Sequence, residues 1–317
     1  MRVDRIRLLI QFLSFILMIY GGIVLINLGR GLPALTCVYS KYRAGLCFLY
    51  PLQRFAGLPF FLLLGGYGIL LLKYMGMFIL WVIVFNTAWC GWVCPIGFLQ
   101  DLLSKLRGYM NVDLSRFSWL TRDRYKSVKY ILLVLLILLP IGIGNSIFGL
   151  PKLTDDLAVP FCQICPAKTV LPMFDGNFSH IFIDFSSATK VVLSTLSMII
   201  LALFFTASFL KRRFLCSYCP MSALLSLFEK ISFLSLKKDG RKCTRCGNCY
   251  RVCPMEIREI ADERERTNIV TQDCMLCMRC IEVCPEDNAL RATFAGLTIF
   301  SSTAKGFLKR QGAFEKV

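Results

Sequence analysis

Two copies of one cysteine pattern lie near the C-terminus: Cys243-x2-Cys246-x2-Cys249-x3-Cys253-Pro254 and Cys274-x2-Cys277-x2-Cys280-x3-Cys284-Pro285. No other feature restricts the chain as much. Three thiolates separated by two residues can wrap a tight loop around three corners of an iron–sulfur cubane. The x3-Cys-Pro step then carries the fourth thiolate away to a second cubane. The spacing predicts two 4Fe–4S sites with exchanged fourth ligands, Cys243, Cys246, Cys249 and Cys284 in one and Cys274, Cys277, Cys280 and Cys253 in the other. Zinc sites also use C-x2-C pairs. Zinc, however, takes four ligands per site and gives no reason for a proline after the fourth cysteine in both copies. The chemistry implied is the movement of single electrons.

The rest of the chain argues for a membrane. Of 317 residues, 56% are hydrophobic, and four stretches approach the ~20 apolar residues that a bilayer crossing requires. They run over about 8–28, 75–89 with an upstream extension, 130–148 and 191–210. The net charge of +17 gathers at segment ends, without the aromatic-laced basic patch of a nucleic-acid binder. Arg2, Arg5 and Arg7 precede the first span. Lys105, Arg107, Arg116, Arg122, Arg124 and Lys126 fill the loop between the second and third. Lys211, Arg212 and Arg213 follow the fourth. Four crossings place all three groups on one side, so a cytoplasmic-membrane protein with both termini in the cytoplasm is expected. The connection 149–187, with Asp155, Asp156, Asp175 and Asp184, suits the far side; the first outer loop, with Arg30, Lys41, Arg43 and Arg54, suits it less.

The first apolar run is long enough to span, which argues against a cleaved signal peptide, and Thr36 disfavours a lipoprotein site at Cys37. The stretch 58–89 is too long for one crossing and is interrupted by Lys73. Splitting it into two spans would invert the charge asymmetry. It is therefore expected to hold an interfacial or re-entrant helix over 51–70 on the outer side, with Lys73 snorkelling at the start of the second span.

Eight further cysteines form four pairs in the chain: Cys37 with Cys47, Cys90 with Cys94, Cys162 with Cys165, and Cys216 with Cys219. Each half of the chain then reads span, outer pair, span, inner pair. The following residues rhyme: Cys94-Pro-Ile-Gly-Phe-Leu, Cys165-Pro-Ala-Lys-Thr-Val-Leu, Cys219-Pro-Met-Ser-Ala-Leu-Leu and, more loosely, Cys47-Phe-Leu-Tyr-Pro-Leu-Gln. A two-fold internal repeat of this parallel kind would bring pairs together. It gives an inner-face site from Cys90, Cys94, Cys216 and Cys219 and an outer-face site from Cys37, Cys47, Cys162 and Cys165. A helix is expected after each Cys-Pro, its proline suited to the first turn and its dipole favouring thiolate. The inner four could instead be unligated or redox-sensing thiols, and the outer four could form two disulfides in an oxidising compartment.

Other cofactors are disfavoured. One histidine, His180, cannot make a bis-histidine haem, and there is no C-x-x-C-H. His180 reads as an ordinary loop residue before it reads as a hydrogen-bonding partner of quinone. No G-x-G-x-x-G opens a nucleotide fold. Gly21-Gly22 and Gly65-Gly66 read as close helix packing. Trp81, Trp89 and Trp92 read as an interfacial belt.

Cys90-Gly-Trp-Val-Cys94-Pro-Ile-Gly, four spans and the double C-terminal motif together resemble the NapH/NosR-type membrane iron–sulfur proteins. The resemblance covers nearly the whole chain. It implies a ferredoxin-type quinol dehydrogenase membrane component, since NapH members pass electrons from the quinone pool to periplasmic reductases. In that family both membrane motifs are Cys-x3-Cys-Pro, whereas here the second is Cys216-Ser-Tyr-Cys219-Pro. The outer pairs also lie outside the simplest members' pattern.

The expected architecture is an all-α polytopic membrane domain over 1–220, with four transmembrane helices, a two-fold repeat and interfacial helices. A small α+β 2[4Fe–4S] ferredoxin-like domain follows over 221–317 on the cytoplasmic side. Its basic residues Lys237, Lys238, Arg241, Lys242, Arg245 and Arg251 would attract an acidic ferredoxin or flavoprotein. Electrons would then reach quinone, or an outer-face partner in a hetero-oligomeric complex. With ~30 Å of hydrocarbon between the faces, an intermediary is expected. The alternatives are a redox-sensing regulator or assembly factor of the NosR kind, and a membrane anchor for a catalytic oxidoreductase.

Overall fold

A computed structural model describes residues 3–112, 127–144 and 158–308. Four apolar helices dominate the first two thirds: α1 (Val3–Tyr20), α4 (Gly66–Phe85), α7 (Val128–Gly144) and α10 (Ala188–Leu210). Counting the 3-10 turn that extends α1 to Val24, three of them are long and apolar enough to cross a membrane; α7, with 17 residues and Pro140 inside it, is shorter. The remainder of the third stretch, Asn145, Asp155 and Asp156, and the basic residues Arg116, Arg122, Arg124 and Lys126 lie outside the described residues.

The four helices alternate in direction. The backbone N–H of Val3 donates to Glu282, and Phe233 N donates to Ile83 O at the end of α4. Lys129 at the start of α7 pairs with Asp273, and Lys211 just past α10 interacts with Glu256. One end of every long helix thus meets the C-terminal domain. Arg107, buried, donates to the Phe209 and Leu210 carbonyls, satisfying orphan acceptors in the last turn of α10.

Short helices fill the space between the long ones. They are α2 (Leu49–Ala56), α3 (Phe60–Leu63), α5 (Ala88–Trp92), α6 (Pro95–Tyr109), α8 (Pro160–Ile164), α9 (Pro166–Phe174) and α11 (Pro220–Ser226). The closest packing joins long to short: α2 and α11 against α7, α6 beneath α1 and α10, and α8 along α10. As the Cys-Pro steps predict, α6, α9 and α11 each begin on a proline with Cys94, Cys165 or Cys219 as N-cap. Gly97 N donates to Cys94 Sγ, so a thiol takes the usual place of a capping oxygen.

Three expectations change. The stretch 51–70 is not one interfacial helix. It breaks into α2, α3 and the first turns of α4, because Pro59 and the Gly65-Gly66 pair interrupt it. Lys73 accordingly sits about two turns inside α4 rather than at its start, its side chain exposed and long enough to reach the interface. The tryptophans are not a belt: Trp89 is buried, and Trp92 Nε1 donates to Leu276 O in the C-terminal domain.

The C-terminal domain is α+β. A three-stranded antiparallel sheet in the order β1 (Leu234–Lys238), β2 (Leu290–Phe294) and β3 (Leu297–Ser301) pairs Leu236 with Ala292. It covers a core that includes Ile257, Ile260, Ile269 and Ile281. Lys238, expected on the basic surface, points into the domain, where Nζ donates to the Ile260 and Ala261 carbonyls. The strand's alternation forces this, because Leu234, Leu236 and Lys238 share the inward face.

Candidate metal centres

In the C-terminal domain the cysteines fall into two groups. Cys243, Cys246, Cys249 and Cys284 line one cavity of about 20 Å³. Cys253, Cys274, Cys277 and Cys280 line a second of about 20 Å³. Within each copy of the motif, Gly247 or Met278 takes the left-handed conformation that starts the short helix carrying the third cysteine. Burial pushes the Cys249 thiol up to about 11 and raises those of Cys274, Cys280 and Cys284. Buried thiols of this kind stay protonated until a metal displaces the proton. Cys246 alone among the sixteen is exposed.

The eight membrane-domain cysteines are arranged differently from the expectation of two sites at opposite faces. All eight line one cavity of about 300 Å³. The segments expected on the outer side turn back to reach it. Residues 25–48 turn back on α1 through Gly22 N to Tyr42 O and Ala44 N to Met18 O, while Cys47 N to Thr36 O closes the loop carrying Cys37 and Cys47. Within the cavity Cys90 is in electrostatic reach of Cys94, Cys216 and Cys219, and Cys47 of Cys162 and Cys165. Cys165 in turn feels Cys37. Cys219 reaches both Cys47 and Cys165, so the groups adjoin. None of the sixteen cysteines forms a disulfide.

The cavity continues to the C-terminal domain, where Cys274 and Met275 also line it. Thr87 Oγ1 donates to Cys274 O at 2.6 Å and Trp92 Nε1 to Leu276 O at 3.0 Å. Between them Gly91 meets the Met275 carbonyl so closely that a Cβ there would overlap it. The Gly and Trp of the Cys90-Gly-Trp-Val-Cys94 motif are therefore docking residues, which sequence reasoning missed.

A charged network supports the site. Arg213, fully buried and at φ +52°, pairs with Asp101 and donates to Cys90 O, with Cys216 Sγ 3.8 Å away. Asp101 also binds Arg7 and Gln11. A Cβ at Gly97 would overlap the Arg213 guanidinium, so the glycine of Cys94-Pro-Ile-Gly makes room for a cation beside sulfur. His180 sits against Tyr39, with Lys168 also over that ring.

The donor sets fit iron–sulfur clusters. Zinc–sulfur bonds of ~2.3 Å hold thiolates roughly 4 Å apart, and among the described residues no three His, Cys, Asp or Glu groups converge closely enough for a single ion.

Comparison with known proteins agrees. A family model described as "4Fe-4S dicluster domain" matches residues 235–285, and one described as "4Fe-4S binding domain" matches twice, at 67–112 and 193–241. An uncharacterized protein of Methanocaldococcus jannaschii is 28% identical over 255 residues, covering 79% of this chain and 87% of that protein. The ferredoxin-type protein NapH of Escherichia coli is 26% identical, with 72% of this chain and 67% of NapH covered. The regulatory protein NosR of Pseudomonas aeruginosa is 27% identical over 64% of this chain but only 25% of NosR. No solved structure matches. The chain is thus similar to membrane-associated 4Fe–4S ferredoxin-type proteins, NapH and NosR among them.

Proposed function

We propose that the protein is a one-electron relay in which four cysteine sets stand in line. The observation that carries this reading is the shared cavity. Exposed Cys246 begins the line in the set Cys243, Cys246, Cys249 and Cys284. Cys280 of the next set interacts with Cys249 of the first. Cys274 of that second set reaches the cavity of Cys90, Cys94, Cys216 and Cys219, and these adjoin Cys37, Cys47, Cys162 and Cys165. Each set would hold one 4Fe–4S cluster, which supplies reversible one-electron exchange. The protein's part is to hold the thiolates, exclude water and keep neighbouring sets close.

In this reading four helices cross the cytoplasmic membrane as a two-fold repeat, with residues 1–220 forming the membrane domain and 221–317 the cytoplasmic one. The doubled family match at 67–112 and 193–241 supports the repeat, and the alternating helix directions support cytoplasmic termini. An acidic ferredoxin or flavoprotein would dock beside Cys246, where Arg241, Lys242, Arg245 and Arg251 are exposed. At the far end, beyond Cys37, quinone or an outer-face subunit would exchange electrons. The inward-folded outer pairs shorten the gap that an intermediary had to bridge.

Iron and sulfide analysis of the anaerobically purified chain tests the reading. Sixteen irons are expected; eight would leave only the C-terminal sets filled and the membrane anchor as the explanation. Loss of quinol-dependent turnover in Cys variants that keep the remaining clusters would separate conduction from the regulatory role that NosR is named for.

A further inference from the structure

Two glutamines do the same thing at the two groups of cysteines in the membrane domain. Gln53 and Gln100 each lie six residues after a cysteine, Cys47 and Cys94, and each is 0% exposed. Gln53 Nε2 donates to Cys162 Sγ at 3.2 Å, while its Oε1 accepts from Phe161 N at 3.0 Å. Gln100 Nε2 lies 3.6 Å from Cys216 Sγ as donor, and its Oε1 accepts from Leu215 N at 3.0 Å. In both cases a carboxamide from one half grips the first cysteine of a pair in the other, together with the backbone N–H of the residue before it. The supporting elements differ, since Gln53 comes from α2 and holds α8, whereas Gln100 comes from α6 and holds a 3-10 turn.

We infer that Cys37, Cys47, Cys162 and Cys165 form a site quasi-equivalent to Cys90, Cys94, Cys216 and Cys219, and that Gln53 and Gln100 are its matching positioning residues, each donating to a ligand sulfur. The inference rests on the proposed cluster reading and deepens it. A disulfide at Cys162 would need neither a buried carboxamide N–H aimed at sulfur nor the same clamp repeated around Cys216. An N–H directed at a ligand sulfur stabilises the more negative, reduced state and raises the potential of its own cluster. The asymmetry between the sites lies elsewhere. Arg213 approaches Cys216, whereas Lys168 and Arg43 act on Cys37.

The test is an EPR-monitored redox titration of the full chain with Gln53→Glu and Gln100→Glu, alongside iron counts. Each variant keeps the acceptor for the backbone N–H and replaces the donor to sulfur. The expected result is undiminished iron with one step moved to lower potential, a different step in each variant. Full iron with no step moved, or the same step moved by both, overturns the inference. Should a Glu variant lose iron, the neutral isosteres Gln53→Met and Gln100→Met are titrated against the same two outcomes. A wild-type chain with twelve irons and two disulfides refutes the four-cluster reading itself, which is distinguishable from sixteen irons with unmoved potentials.

Discussion

Gly91→Ala should detach the C-terminal domain from the membrane domain without touching a single ligand. A Cβ at this position falls inside the 3.0 Å that real Cβ atoms essentially never breach, and the atom it meets is a backbone oxygen, that of Met275. A flexible side chain could swing away, but the 274–276 loop can only retreat, by about 1 Å, to restore ordinary contact. The two flanking bonds, Thr87 to Cys274 O and Trp92 to Leu276 O, cannot survive such a retreat. Overpacking of this sort costs about 1–3 kcal/mol, and each lost hydrogen bond about 1 kcal/mol. A weakening of the seam by about 3–5 kcal/mol corresponds to a roughly 200- to 5,000-fold rise in the population of the open state. Hydrogen exchange should show that rise in the amides of 274–278, with iron content unchanged and electron delivery from the C-terminal sets to the membrane sets slowed. Wild-type protection of this loop in a variant that has folded would refute the docking role given to the motif glycine.

Four further outcomes follow from the buried charges and the line of cysteines. Lys129→Met leaves Asp273 buried without its ion-pair partner and should cost about 3–5 kcal/mol in thermal unfolding, with the double variant Lys129→Met, Asp273→Leu recovering most of it. Burial works against the charge on Asp101, but Arg213 and Arg7 outweigh it and hold the carboxyl well below the usual carboxylate range. Its folded pKa being below its unfolded one, its contribution is complete above about pH 5 and is lost only on further acidification. Asp101→Asn should therefore destabilise equally at about pH 6 and about pH 8, and a gap that widened between them would contradict this. Arg213→Gln should move to lower potential the redox step that Gln100→Glu also moves, since it removes a cation from the neighbourhood of Cys216. Cys246→Ser should remove one cluster and abolish reduction by a soluble acidic donor, with the membrane-domain EPR signals intact.

Local features of this chain were legible because they depend on neighbours in sequence. The grouping of the C-terminal cysteines follows from spacing, and each expected four lines one cavity. Helices start after Cys94, Cys165 and Cys219 because proline fixes the first turn wherever it is placed. Lys238 was misread as surface charge because composition carries no phase, whereas the alternation of β1 does.

The common cavity of the eight membrane cysteines was not legible, and the reason is physical. Charge and hydropathy report which side of a bilayer a loop starts from, not how deep it folds back. Irregular backbone at membrane depth is tolerated only where protein buries it, so the place of 25–48 is decided by partners outside it such as Met18, Gly22 and Asp175. A trace of the answer did exist in the repeat. Extending the match between Cys47-Phe-Leu-Tyr-Pro-Leu-Gln53 and Cys94-Pro-Ile-Gly-Phe-Leu by one residue, to Gln100, aligns two glutamines that no apolar periodicity explains. A polar residue repeated on the buried face of two helices needs a polar partner at each position. Beside backbone groups, those partners include the thiols of Cys162 and Cys216.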